Sequence, residues 1–189
     1  SLLTKNVAWN GFTDRCSLFE LAVMDHAGTD KFELSPTNLG DHRVRNRSMG
    51  TVQQEDLYEE ARRTEIIVQS KPLDTVLAEQ GVADKPIRPW KMDTQGSEVS
   101  ILRGAKQTLA RTDYLLTEYW PYGLARFGHS AQDFISCLEN YFSEFRNAQY
   151  KDQTYRPMNQ LLENLLKPSS NVCGESMYIF RKAGSGSTA

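Results

Sequence analysis

The sequence predicts an α/β domain built on a mostly parallel sheet with helices on both faces. Three observations predict it. Its 189 residues suffice for one domain with a proper core, or one domain with appendages. Strand-like apolar runs alternate with helix-periodic runs over the later two-thirds of the chain. Three of the strands end on a carboxylate, Asp25, Asp93 and Glu118. In open parallel sheets, ligands bind outside such carboxyl ends, and neighbouring strands would set all three acids along one edge.

The elements follow in order. Leu2, Leu3 and Val7 share a helical face, and Asn10-Gly11 supply its stop, so the chain opens inside a helix. Ser17 to Val23 (SLFELAV) alternates as a strand, Asp25 to Gly28 turn the chain, and Lys31 to Leu34 (KFEL) return as a short strand. Ser35 to Met49 is polar, with Pro, Asn and Gly, and reads as a loop. Ile66-Ile67-Val68 form a compact apolar strand, and Leu73, Val76 and Leu77 start a helix closed by Gly81.

Ile87 to Asp93 is a strand, with Pro89 pushing its start to Trp90, because proline lacks the ladder donor. A helix is expected from about Ser97 to Arg111, where Val99, Leu102, Ala105 and Leu109 approximate the 3.6 period. Tyr114 to Glu118 is a strand. Phe134, Leu138, Tyr141, Phe142 and Phe145 predict an amphipathic helix, and Met158, Leu161, Leu162, Leu165 and Leu166 predict another. Met177 to Phe180 closes with a strand, and residues 183–189 read as a flexible linker.

Composition narrows the function classes. Acidic residues (24) slightly outnumber basic ones (22), so no basic surplus marks a binder of nucleic acid or of anionic membranes. No apolar run approaches the roughly 20 residues of a membrane helix. Cys16, Cys137 and Cys173 are odd in number and widely spaced, which fits free thiols in a reducing cytoplasm.

Chemistry-bearing residues crowd into Lys91 to Ala105, KMDTQGSEVSILRGA. Lys91, Asp93, Gln95 and Glu98 surround one glycine. Gly96 either admits close backbone approach to a ligand or takes a positive φ. Ser97 is placed to cap the helix that follows, and Glu98 suits its first turn. The bland reading is a loop carboxylate, a routine helix start and a solubilising lysine. The residues alone reach an α/β domain with an acidic ligand cleft.

This segment closely resembles the Lys-x-Asp-x-(Glu/Gln)-Gly-x-Glu-x-x-x-Leu-x-Gly-Ala signature of the FkbM-type S-adenosylmethionine-dependent methyltransferases. ELAVMDHAGTDKFEL, PTNLGDHRV, KPLDTVL and TEYWPYGL also resemble that family's segments, so the likeness runs from Leu2 to about Lys182. The resemblance implies a Rossmann-like methyltransferase sheet, mostly parallel with an antiparallel last strand. It implies methyl transfer from S-adenosylmethionine to a hydroxyl of a small molecule or sugar. By this likeness Ala22, Val23 and Asp25 sit beside the adenine, and Asp93, Gln95 and Gly96 lie at the methionine end. Residues 1–182 then form a partial methyltransferase domain, because the glycine-rich cofactor loop and the first two strands of the pattern would precede residue 1. Gln95 stands where the family more commonly has Glu.

An in-line methyl displacement needs alignment, and a base where the hydroxyl is not already acidic. His42, Glu98 and Glu118 are the candidates. For His42 the competing reading is a solvated or substrate-orienting loop residue. For the two glutamates it is a helix-dipole partner and a sheet-edge hydrogen bonder. Tyr119 to Tyr122 either wall an acceptor pocket or form a satellite apolar cluster. His26 and His129 read as surface residues, and no metal site is expected. A second function class is a non-catalytic module that binds a partner or self-associates through an exposed sheet edge.

Overall fold

Two sheets, not one, carry the chain. The computed structural model describes residues 1–45, 58–167 and 174–182. The first sheet is ordered β1-β4-β2-β3, with β1 at Ala22–Val23, β2 at Gly28–Leu34, β3 at Arg43–Val44 and β4 at Thr64–Lys71. The second is ordered β5-β6-β9-β7-β8, with β5 at Trp90–Met92, β6 at Tyr114–Tyr119, β7 at Glu144–Asn147, β8 at Arg156–Pro157 and β9 at Ser176–Arg181. Helices α1 (Leu2–Trp9), α2 (Leu73–Glu79), α3 (Glu98–Arg103), α4 (Lys106–Ala110), α5 (Pro121–Arg126), α6 (Ala131–Leu138) and α7 (Leu161–Leu165) complete the described elements.

The expectation of a mostly parallel sheet is overturned. Only β1·β4 and β5·β6 pair in parallel among the named strands; every other pair is antiparallel. The cause is β9, which inserts antiparallel between β6 and β7, and the long antiparallel β2·β4 ribbon. Alternation of strands and helices along a chain counts strands without fixing their direction. The same division separates the carboxylates, since Asp25 follows the first sheet's edge strand while Asp93 and Glu118 belong to the second.

Element boundaries moved for identifiable reasons. Residues 17–20 are exposed coil, leaving only Ala22–Val23 as strand, and Arg43–Val44 make a short strand inside the expected loop. Positions 46–49 of that loop lie outside the described residues, as do Cys173 and the tail 183–189. Among the described cysteines, Cys16 and Cys137 are free thiols. The helix expected over Ser97–Arg111 breaks at Gly104-Ala105 into α3 and α4. The periodic run from Phe134 leaves the helix at Leu138, and Phe145 meets the same core from β7. The last expected helix begins as a 3-10 turn, Met158–Gln160, before α7.

Nearly all of the apolar core belongs to the second sheet. Leu115, Tyr178, Phe180 and Phe145 pack from the strands against Val99 and Leu102 of α3, Leu124 of α5, Phe134 and Leu138 of α6, and Leu161 of α7. The first sheet is joined differently. Ile67 of β4 is 66% exposed, and Ile66 is also exposed. What ties this sheet down is polar and close-fitting. Asp74 of α2 caps α4 across the chain: its carboxylate accepts from the amides of Gln107 (2.9 Å) and Thr108 (2.8 Å) and from the Thr108 hydroxyl (2.6 Å). These are the donors that a helix start leaves without partners. Gly104 lets the end of β1 lie against the break between α3 and α4, since a Cβ there would stand 2.4 Å from the Met24 carbonyl oxygen.

That approach yields a stability prediction. Gly104→Ala should destabilise the fold by about 1–3 kcal/mol through forced separation of β1 from α3, seen as a lower thermal midpoint. An unchanged midpoint would show that the backbones separate without penalty.

Candidate functional site

The turn between β5 and α3 is shaped from beneath by one acid. Gln95 (φ 55°) and Gly96 (φ 103°) are both left-handed, and a Cβ on Gly96 would meet the Gly123 backbone at 2.7 Å. Gly96 therefore serves its positive φ and its packing on α5. Glu98 folds back under this turn. Its Oε1 accepts from the Thr94 amide (3.1 Å), the Thr94 hydroxyl (3.0 Å) and the Gly96 amide (3.3 Å). Glu98 is fully buried, and its Oε2 has no hydrogen-bond partner among the described residues. Burial raises its pKa against the opposing pull of those donors. Ser97 makes no side-chain cap; its hydroxyl donates to the Thr94 carbonyl at 3.2 Å.

Above the turn, Gln95 bridges two carboxylates. Its Nε2 donates to Asp93 Oδ1 at 3.1 Å and to Glu118 Oε2 at 3.4 Å, while Lys91 Nζ holds Asp93 Oδ2 at 3.0 Å. A glutamate at position 95 would add a third carboxyl group here, whereas the amide supplies a donor. Asp93 is exposed and Glu118 is only 6% exposed. Burial first, then the charges of Glu98, Glu175, Asp93 and Asp41, push the Glu118 carboxyl up to about 8. Glu175 is shifted upward as well, by burial and by Asp41 and Asp93.

Asp93, Gln95, Gly96, Glu98 and Glu118 thus gather around one turn. Ala22 and Val23 are half-buried in β1, and Asp25 follows them at the rim of a cavity of about 250 Å³. That cavity is also lined by Met24, His26, Asp30, Ser100 and His129. Ser100 lies on α3 two residues beyond Glu98, so α3 links the two places. His42 stands apart in the loop before β3, its Nδ1 accepting from the Ser35 amide at 3.0 Å. That bond occupies the lone pair a base would need at Nδ1 and leaves the proton of a neutral ring on Nε2. Tyr119 and Trp120 are buried, and Tyr58 packs against Trp120 and Tyr122, so this turn is an apolar cluster.

Several residues of this region escaped the sequence reading. Asp41 and Glu175 come to Glu118 from distant segments with no local signature. His26 is exposed, as expected, yet it and the half-buried His129 both line the cavity; the Asp25-His26 neighbours, with Asp30 four residues after His26, were the available signal. Among the described residues, no group of three or more His, Cys, Asp or Glu side chains is arranged to hold a metal ion, and no helix is long and apolar enough to cross a membrane.

The family model for the methyltransferase FkbM domain matches residues 6–165. The chain belongs to the FkbM methyltransferase family. The matched span takes in the turn, Glu118 and the cavity residues, while β9 lies beyond it. No curated protein and no solved structure matches the chain. Within this FkbM domain, Gln95 joins Asp93 and Glu118 at the turn between β5 and α3.

Those acids predict a pH dependence of stability. Glu118 has a folded pKa of about 8 against an ordinary 4.5, and Glu98 and Glu175 move the same way. For such groups the folded state holds its protons more tightly. Their stabilising contribution is complete below the ordinary value and is lost as pH rises through the folded one. Unfolding free energy should therefore fall between pH 4.5 and about 8, and Glu118→Gln should flatten the upper part of that fall. Urea titrations across this range measure it; identical slopes in both proteins would refute the assignment.

Proposed function

We propose that the chain is an S-adenosylmethionine-dependent methyltransferase acting on a hydroxyl oxygen of a small molecule or a sugar. The observation that carries this reading is Glu118, a nearly buried acid at a strand end whose pKa of about 8 suits proton exchange near neutrality. It lies within the family motif's reach through Gln95.

The residues fit the cofactor's adenosine end. The cavity beside Asp25 offers Met24 and Phe127 as apolar walls, and the carboxylates of Asp25 and Asp30 as acceptors for an amine or a hydroxyl. Its volume, about 250 Å³, is below that of sites enclosing a whole drug-sized ligand, so it suits one end of an extended one. Ala22, Val23 and Asp25 would hold the base, and Asp93, Gln95 and Gly96 the methionine end. When bound, S-adenosylmethionine supplies an electrophilic methyl group.

The chain's own residues then have separate tasks. Glu118 Oε1 or Oε2 takes the proton of the acceptor hydroxyl as its oxygen becomes a nucleophile. Gln95 orients Glu118 and keeps Asp93 from crowding it. Glu98 contributes by fixing the turn that presents Gln95, and His42 orders the loop next to Asp41.

Two measurements test the reading. S-adenosylhomocysteine should bind in a titration, and Glu118→Gln should retain that binding while lowering methyl transfer by roughly 10²–10⁴-fold. Wild-type transfer should rise with pH toward about 8 as Glu118 ionises. Full activity in Glu118→Gln would remove Glu118 as the base, and no binding of either cofactor form would remove the methyltransferase reading.

A second reading is favoured by one specific observation. Among the described residues β1 and β5 each pair on one side only, and α1 has no buried residue, leaving Leu2, Leu3 and Trp9 exposed. Open edges and apolar faces invite association, so the chain would act as a self-associating module without catalysis. Sedimentation should then show a dimer or larger species with no cofactor binding; a monomer that binds S-adenosylhomocysteine excludes it.

A further inference from the structure

A histidine in the cavity wall is held on both ring nitrogens by acids. His26 Nδ1 lies 2.9 Å from Asp25 Oδ1, and its Nε2 lies 3.0 Å from Asp30 Oδ2. Asp30 is buried on β2 and accepts from the Ser70 hydroxyl of β4 through the same oxygen. A neutral imidazole has one N–H and one lone pair, and only the imidazolium donates from both nitrogens. Two carboxylates this close, one hydrogen-bonded and one at ion-pair distance, favour the charged ring. The chain of groups runs Ser70, Asp30, His26, Asp25, from the interior of the first sheet to the cavity rim.

We propose that His26 is a positioning residue whose imidazolium fixes Asp25 at the cavity rim, with one carboxylate oxygen directed to the ligand. The proposal rests on the cofactor reading above, in which Asp25 accepts from the adenosine end. Asp25 Oδ1 is engaged by His26, and Oδ2 has no hydrogen-bond partner among the described residues, so it is the oxygen left for a ligand. Asp25 itself is exposed on a loop, and without the bridge nothing described restrains its rotamer.

The other charges that face this place do not compensate for His26. Arg45 lines the cavity, and its guanidinium is drawn to Glu65 and, at 3.6 Å, to Glu33. His129 also lines the cavity, 3.4 Å from the Ser100 hydroxyl, and burial and Arg103 lower its pKa, so it loses its proton at a lower pH than His26 does. The Asp25 hydrogen bond and the two aspartate charges raise His26 above its ordinary 6.5, against a smaller lowering by burial.

When the ring loses its proton, one of its two contacts becomes a lone pair facing a carboxylate. Asp30 is buried and Asp25 is exposed, so the aspartate that water can most cheaply resolvate is Asp25. The proton therefore controls the rim, while the interior pair with Ser70 persists. The contribution of the bridge is complete below 6.5 and is lost as pH rises through the raised pKa of His26.

The experiment is a titration of the chain with S-adenosylhomocysteine at about pH 6 and about pH 9, with nitrogen-15 spectra of the imidazole recorded alongside. Wild-type affinity should fall roughly three- to tenfold over that range, as expected for losing one partly exposed charged contact. His26→Gln should bind weakly at both ends and lose most of this pH dependence. Asp30→Asn should lower the His26 pKa in the spectra and shift the loss of affinity to lower pH. Equal affinities and equal pH slopes in wild type and His26→Gln overturn the proposal and leave the methyltransferase reading standing. A singly protonated ring at pH 6 overturns it too. Absence of binding by wild type at every pH overturns the cofactor reading, and this proposal with it, whatever the spectra show.

Discussion

A buried network of arginines and acids holds the two halves of the molecule in register. Arg126 of α5 reaches Glu33 of β2 at 3.0 Å and Glu60 at 3.1 Å, and Arg43 of β3 meets Asp41 at 3.0 Å as well as Glu60. Arg63 pairs with Asp41, and the Tyr122 hydroxyl donates to Glu60 at 2.7 Å. Buried pairs of this kind add little net stability over an apolar core, but each fixes its partners' places, and loss of one member strands the others in a dry interior. The first sheet has few apolar contacts to fall back on. Its attachment depends on charge matching, together with the Asp74 cap and the close approach at Gly104.

That attachment reaches the turn around Gln95. Asp41 belongs to the network through Arg43 and Arg63, and it is also one of the charges that raise Glu118. α5 carries Arg126 at one end and Gly123 near the other, where it supports Gly96. The carboxylates around Gln95 then differ by surroundings alone. Glu98 is buried and saturated on one oxygen, Glu118 is buried and scarcely bonded, and Asp93 is exposed and paired with Lys91. Burial raises the pKa of Glu98 and of Glu118 alike, and neighbouring charges add to the rise of Glu118.

How much of this was legible in the sequence depended on the range of the interaction. The polar crowding from Asp93 to Glu98 was readable because these residues are consecutive, whereas the expected Ser97 cap does not form. The start of β5 at Trp90 followed from the missing donor of Pro89. Helix limits read from periodicity failed where turn, strand and helix face one core, as at Phe142 and Phe145. Strand direction was illegible in the alternation itself, because Met177 to Phe180 alternates equally well in either direction; only the family resemblance implied an antiparallel last strand, and its partners, Leu116 and Arg146 opposite Ile179, bear that out. The cavity was half legible: Asp25 was singled out, whereas the meaning of His26 emerged only with Asp30 folded beside it.

β9 gives the fold an order in time. It is the last described strand in the chain, yet it lies in the middle of the second sheet, with β6 on one side and β7 on the other. Tyr178 and Phe180 are the aromatic centre against which Tyr119, Phe134 and Phe142 pack. During synthesis, β6 and β7 emerge with a gap between them that only residues 176–181 can fill. A chain stopped short of this strand therefore lacks both the link between β6 and β7 and the two rings on which the core packs.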